Sequence, residues 1–498
     1  MTQTAAFNLL DDPWIDVLED DLTRSTVSVL ELFRRAHEIT TISTELTTQR
    51  FALTRVLLAF LHRGYGGPAT LDRWQELWGA PSLPMAALES YSAQVRDRFN
   101  LFDPAQPFFQ VADLRTASDE VFGLERLIAD VPNGHPFFTT RAGAGLAAIS
   151  AKEAALWLIH AQGFDPSGIK SGAVGDATVK GGKGYPIGTG WAGQIGGILA
   201  EGATLRETLL LNLIPSDQDA RVVTNDLPAW ERPPQTAARV ARQPSGPVDV
   251  FTWQARRIRL VCKDGAVVGV VLANGDRLDP QNRHLVEPLT GWRYSEPQSK
   301  IYARAVFMPL LHDAERDMWR GVAMSRVGIA YGSQNAVIED VVGGQVSLPA
   351  VAFSGRADVL AAVVGGLDDA EKCAWAVGRL FGDLVDAAGG DREGAQEMGR
   401  QSAFAALGEP VQRWLASIAA DSEATDLRRA WQMTLRPIVE PIVLERVRQC
   451  GPAAWIGRPD DLGGANVARA EADFRKSMRR VLSLAYIEST PTSPEAVS

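Results

Sequence analysis

The densest chemical signal in the chain is a run of glycines. Residues 163–197 hold 12 glycines in 35 positions, with Lys170, Lys180 and Lys183 among them. No packed helix or central strand tolerates that density, so an extended loop region is expected. Within it, "GTGWAG" at Gly188, Gly190 and Gly193 formally fits GxGxxG. A dinucleotide site also needs a strand before the run, a helix opening on it and an acidic residue about 20 positions on. Here "KGGKGYP" precedes it, which is no strand. "KGGKG" is not a phosphate-binding Walker loop either, because Gly184 stands where Ser or Thr is required and Ala177 where the first glycine belongs. A nucleotide- or dinucleotide-dependent enzyme using loop 163–197 is therefore kept as the alternative. The other readings are a surface insertion, or a backbone that approaches a ligand where any Cβ would clash. Lysines dotted among glycines suit a phosphate backbone or a groove floor.

Hydrolytic chemistry lacks its parts. No GxSxG elbow occurs. The six histidines are scattered, with no HExxH pair. Cys262, Cys373 and Cys450 lie far apart and form no CxxC pair, so neither a disulfide framework nor a zinc ribbon is expected. Neither catalytic residues, metal nor cofactor is assigned.

A different feature is "AYGSQNAVIED" (330–340). Gly332 and Ser333 suit a tight turn and Ala336 is slim, so Gln334 and Asn335 are expected to project. Their flat amides both donate and accept hydrogen bonds, more than a connector needs.

Cations concentrate locally. Residues 251–304 carry nine Lys/Arg against five acids, in a chain of net charge −10. In "QARRIRL", Arg257 and Arg259 alternate with apolar residues and so share a strand face. The last helical segment carries Arg469, Arg475, Lys476, Arg479 and Arg480 on a face distinct from Phe474, Met478 and Val481. Arg257, Arg259, Arg475, Lys476 and Arg479 are thus candidates for nucleic-acid backbone contacts. The net acidity excludes a protein coated all over in nucleic acid but not a basic strip.

These residues need elements to hold them. The chain has 498 residues, 46% of them hydrophobic, enough for more than one core. Residues 7–30 read as short strands around a turn, and "TTQRFALTRVLLAFLHRGY" as a helix by its apolar repeat. Shorter helices are expected near 71–78, 84–98 and 151–162, the last ended by Gly163. Residues 248–278 read as strands joined at Lys263-Asp264-Gly265. Four long helical segments follow, near 368–387, 393–419, 424–449 and 465–487, separated by Gly or Pro breaks. The expected fold is α+β: a large mixed domain over 1–366, then a four-helix bundle over 367–498. The acidic start has no basic n-region of a signal peptide, and no apolar run reaches the roughly 18 residues of a membrane helix. A cytoplasmic protein without membrane association is expected.

Several stretches, in order, resemble one family. They are "FNLLDDPWIDV", "QPFFQ" (106–110), "GFDPSGIKSG" (163–172), "TLRETLLLNLI", "LPAW" (227–230), "FTWQ" (251–254), "AYGSQNA" (330–336) and the helical tail. Together they resemble the large-subunit family, CasA, of the type I-E CRISPR surveillance complex Cascade, over nearly the whole chain. The resemblance implies DNA recognition without catalysis, in partnership with CRISPR RNA, the other Cascade subunits and the CRISPR helicase-nuclease. It implies that the subunit reads the protospacer-adjacent motif (PAM) of double-stranded target DNA from the minor groove, then wedges the strands apart. By position, the glycine loop would comprise Gly163, Ser167, Gly168 and Lys170, and the wedge Ser333, Gln334, Asn335 and Ala336. The family's lysine finger would fall at Arg283-His284, where this chain has no lysine. Phe137, Phe138 and Arg141 would sit in the loop near the RNA handle and PAM. Asp165, Pro166 and Ser167 replace family glycines, and the Gln-Asn order is reversed. The family's Cys-rich stretch is absent, so no zinc is expected.

Overall fold

Asp264 and Gly265 both take left-handed backbone, with φ of 52° and 81°. That pair is what a two-residue hairpin turn demands, because its twist matches the flanking strands. It joins β6 (Arg256–Lys263) to β7 (Ala266–Asn274) in an antiparallel register running from Arg256↔Asn274 to Lys263↔Ala266. The computed structural model describes residues 6–131, 141, 143–199, 201–213, 225–309, 357–418, 422–449, 454–455 and 466–481. The chain divides into two compact units, Met1–Leu311 and His312–Ser498.

In the first unit, β1 (Ile15–Glu19) pairs antiparallel with β2 (Arg24–Val27) and β3 (Ile39–Ile42), in the order β2-β1-β3. Helix α1 (Val29–Arg35) is capped by the Ser28 hydroxyl. Helix α2 (Thr47–Tyr65) is buried without interruption from Phe51 to His62. Buried on every side over that stretch, it is the central core helix of this unit. It packs against α4 (Met85–Val95) and α5 (Ala151–Phe164), with α3 (Leu71–Gly79) lying between the first two in sequence. Gly66, at φ 69°, ends α2.

The burial of α2 includes a charge. Arg55 places its two terminal nitrogens 2.9 and 2.7 Å from the two carboxylate oxygens of Glu287. Glu287 is completely buried and also accepts hydrogen bonds from Trp191 Nε1 and Leu289 N. A buried ion pair is tolerated when its remaining lone pairs are satisfied in this way.

Residues 247–251 differ from the expected strand. They form helix α8 (Pro247–Phe251), after the short α6 (Trp191–Ile195) and α7 (Leu205–Leu211). Pro247 opens α8, and the amides of Val248 and Asp249 donate to the Asp226 carboxylate at 2.8 and 3.0 Å. A carboxylate on the first free amides, with proline at the first turn, favours a helix start over a strand. Helix α5 likewise continues through Gly163 to Phe164. Two-residue strands β4 (Lys170–Ser171) and β5 (Lys183–Gly184) pair inside the glycine-rich region. Strands β8 (Trp292–Tyr294) and β9 (Phe307–Pro309) pair across α9 (Glu296–Tyr302).

The second unit is helical: α10 (Ala357–Ala387), α11 (Arg392–Ala416), α12 (Ala424–Arg448) and α13 (Asn466–Val481). Helix α10 packs against the other three. The domain boundary expected between residues 366 and 367 lies inside α10. The glycines there are not breaks. A Cβ on Gly366 would stand 2.5 Å from the Trp414 ring, and one on Gly365 would stand 2.9 Å from the Arg428 guanidinium. Both glycines let neighbouring helices close in. The Trp431 indole N–H donates to Gly366 O at 2.8 Å, and Arg428 forks onto buried Asp369 at 2.9 and 3.1 Å. Among the described residues, no helix is long and apolar enough to cross a membrane.

Candidate nucleic-acid interface

The glycine-rich region is tied at its base by one arginine. Arg256 opens β6 and is fully enclosed. Its Nε donates to Asp165 Oδ2 at 2.5 Å, and one terminal nitrogen donates to Asp165 O and Gly188 O, both at 2.9 Å. The side chain thereby clamps both ends of loop 165–188. A guanidinium suits this task, because its planar fork of donors meets several acceptors at once. Lys170 approaches the same Asp165 oxygen at 2.7 Å. Burial pulls its ammonium below the usual lysine range, against the opposing pull of Asp165. Lys170 therefore faces inward to an ion pair. The outward cations of the loop are Lys180 and Lys183, both exposed, with Tyr185 beside them at 51% exposure.

Two glycines do different work here. A Cβ on Gly190 would lie 2.4 Å from the carbonyl carbon of Gly163, so glycine is required where α6 meets α5. A Cβ on Gly168 would meet nothing. Packing does not explain glycine at 168; the open side faces outward, next to exposed Ser167.

The alternative enzyme reading finds no frame. Every strand pairing among the described residues is antiparallel. The GxGxxG stretch opens onto a five-residue helix rather than a strand-anchored one. A dinucleotide fold needs parallel βαβ geometry around that turn.

The β6 arginines require a correction. Arg257 and Arg259 do share a strand face, opposite Ala273 and Val271. That face is covered, for Val271 and Ala273 pack with Val111, Leu114 and Ala173. Arg257 is 1% exposed, pairs with Asp276 at 2.5 Å and donates to Thr236 O and Ala238 O. Arg259 is half-buried and donates to Leu114 O at 2.7 Å. Both cations are spent inside the fold, and Arg257 presents no surface to a phosphate. Alternation places side chains on one face but does not say what packs on it.

Arg283 is half-buried, donates from Nε to Asp279 O at 3.0 Å and is pulled below the usual arginine range by burial. The His284 ring packs on Phe307 with centroids 4.4 Å apart. Asn282, at φ 57°, holds this turn against β9. Its backbone N–H donates to Phe307 O, and its side-chain oxygen accepts from Phe307 N at 2.7 Å. Sequence reading missed this anchor; its signal, an Asn before the basic pair, is a common turn residue.

Arg141 is also engaged. It pairs with Glu45 at 2.6 Å, lies 3.5 Å from Asp130, contacts Glu153 and sits over the Trp157 ring. Phe137 and Phe138 lie outside the described residues, as do Ser333, Gln334, Asn335 and Ala336. On α13, Arg475, Lys476 and Arg479 are exposed, whereas Val467, Ala470 and Met478 are buried. The basic face of that helix is thus distinct from its packed face. Arg475 pairs with Glu471 at 3.2 Å along the helix.

The profile of a family described as CRISPR-associated protein Cse1 matches residues 8–325 and 322–441. The CRISPR-associated protein CasA/Cse1 of Thermus thermophilus is 30% identical over 322 residues, covering 63% of this chain and 59% of that protein. The crystal structure of Thermobifida fusca Cse1 is 40% identical, with a TM-score of 0.80 over 97% of this chain and 100% of that one. A chain of a solved CRISPR RNA-guided surveillance complex shares the fold at 17% identity, with a TM-score of 0.64 over 97% of this chain and 99% of that one.

Proposed function

Because the chain belongs to the family of CRISPR-associated protein Cse1, we propose that it is a subunit of an RNA-guided surveillance complex. In that complex it recognises the protospacer-adjacent motif on duplex DNA, parts the strands without catalysing a reaction and presents a surface to a helicase-nuclease. The observation that carries this reading is the family match, which continues from the mixed unit into the helical one. The solved surveillance complex supports partnership with guide RNA and other subunits.

The physics of each part is consistent. The minor groove is only about 6 Å wide and shows a degenerate pattern, so a slim backbone suits permissive readout there. Gly168, with open space where a Cβ would be, is such a backbone. Arg256 and Asp165 hold the loop's ends, so its approach costs less ordering on contact. Opening a base step costs a few kcal/mol. Guide pairing nearly balances the duplex it replaces, so small protein terms decide whether opening proceeds. Gln334 and Asn335 supply flat amides for exposed base edges.

The test uses the chain assembled with its guide RNA and partner subunits. Gln334→Ala with Asn335→Ala is expected to weaken binding of a fully paired target about tenfold or more, and to matter much less on a target already opened into a bubble. Equal loss on both substrates would remove the wedge.

A further inference from the structure

The segment β8–α9–β9 carries aromatic rings outward where a small element usually buries them. Tyr294 is 56% exposed, Tyr302 50% and Ile301 71%. Arg293, Lys300 and Arg304 are exposed around them. Glu296 is the only acid from Trp292 to Arg304, and it pairs with Lys300 at 2.8 Å. The patch is therefore basic on a chain of net charge −10. It is also held in shape. Ser295 N donates to Val306 O, and the Ser299 hydroxyl accepts from Val306 N at 2.9 Å. Ala303 takes left-handed backbone at φ 49°, which ends α9 and leaves Tyr302 at a reversal of the chain. The Tyr294 ring stands edge-on to Phe307, centroids 6.0 Å apart, and Phe307 in turn packs on His284. One aromatic row thus runs from the Arg283-His284 turn to Tyr294.

We propose that this segment is a stacking platform for an unpaired nucleic-acid strand, with Tyr294 and Tyr302 taking bases and Arg293 and Arg304 taking phosphates. Aromatic faces and cations in alternation are the means by which proteins hold single strands without sequence preference. Tyr294 precedes α9 and Tyr302 closes it, and seven helical residues rise about 10 Å, so each ring is assigned its own base. The charge selects the ligand: Arg293 and Arg304 flank the rings and the sole acid is already paired, which favours a polyanion over an ordinary protein surface. The inference rests on the reading that this chain handles DNA strands; it adds where an opened strand is held.

The experiment uses the full complex with a target whose displaced strand carries 5-iodouracil. Ultraviolet crosslinks are expected on the peptide containing Tyr294 and Tyr302. Tyr294→Ala with Tyr302→Ala should abolish them and weaken binding of a pre-opened target about tenfold, whereas the paired Tyr→Phe changes should retain both. These side chains are exposed, so melting temperature should not move. If the wild-type complex binds matched duplex in a PAM-dependent way, yet crosslinks fall elsewhere and the Ala pair binds opened target normally, the platform is overturned and the proposed function stands. If PAM-dependent binding is absent in wild type, that broader reading fails instead. An Ala pair that drops out of the assembled complex would mark a protein contact and also overturn the platform.

Discussion

Arg256 and Asp165, 91 residues apart, meet with Nε on Oδ2 at 2.5 Å in an enclosed site, and Lys170 meets the same oxygen at 2.7 Å. Two cations thus share one anion. Removing the anion and removing one cation should therefore differ in cost. Arg256→Met leaves Asp165 paired with Lys170, and a loss of about 3 kcal/mol is expected. Asp165→Ala strands two buried cations, and a loss nearer 5 kcal/mol is expected. Arg256→Lys should not rescue, since an ammonium cannot fork onto Asp165, Pro166 and Gly188 together. Urea unfolding of the three variants gives the ranking. Equal costs for Met and Ala would show that Lys170 does not share the carboxylate.

The glycines at 190 and 168 should separate packing from function. Gly190→Ala drives a methyl into the Gly163 backbone and should destabilise by about 1–3 kcal/mol. Gly168→Ala meets nothing and should stay within about 0.5 kcal/mol of wild type. In the assembled complex Gly168→Ala should nevertheless weaken PAM-duplex binding. Thermal melts beside binding titrations read both quantities.

Exposed and buried arginines should respond in opposite assays. Neutralising Arg475, Lys476 and Arg479 together is expected to leave stability nearly unchanged and to flatten the salt dependence of DNA binding, by up to about 0.9 in log–log slope for each phosphate that is no longer neutralised. Arg257→Ala should leave the slope alone and lower stability, because Asp276 would remain buried without its partner. A slope change from Arg257→Ala without loss of stability would contradict its buried placement.

His160 sets a pH dependence. Its ring is 3% exposed, stacks on Phe164 at 5.2 Å and has Nε2 3.0 Å from the Thr48 hydroxyl. Burial pushes it down to about 4, with Asp165 opposing. The folded value lies below the unfolded one, so the unfolded chain takes the proton first. Stability is full above about pH 6.5 and is lost as pH falls toward 4, by about 3 kcal/mol through this residue. His160→Gln should flatten that stretch of the stability profile.

The legible parts of the fold were those written locally. Asp264-Gly265 fixed a hairpin by backbone preference, and the apolar repeat of 47–65 marked a helix before its all-round burial was visible. Unread parts depended on distant partners. Nothing in "PVDVF" announces a helix until Asp226, 21 residues earlier, supplies its cap. The domain boundary expected after Gly366 fell inside a helix because the neighbours that need glycine there, Arg428 and Trp414, are remote in sequence. The same blindness governed the site. Arg257 and Arg259 carried the right charge and spacing, but what covers their face comes from residues 111–114, 173 and 236–238. On α13, where the apolar and basic positions lie on one helix, the sequence separated the two faces without help.

Arg55 adds a constraint in time. Its carboxylate partner, Glu287, is 232 residues further along the chain. At about 5–20 residues per second of synthesis, those residues take roughly 10–50 s to appear. Throughout that interval α2 cannot bury Arg55 against its native anion. The core helix is made early and completed late, so the nascent first unit spends its synthesis as a half-built structure with an apolar helix in need of shelter.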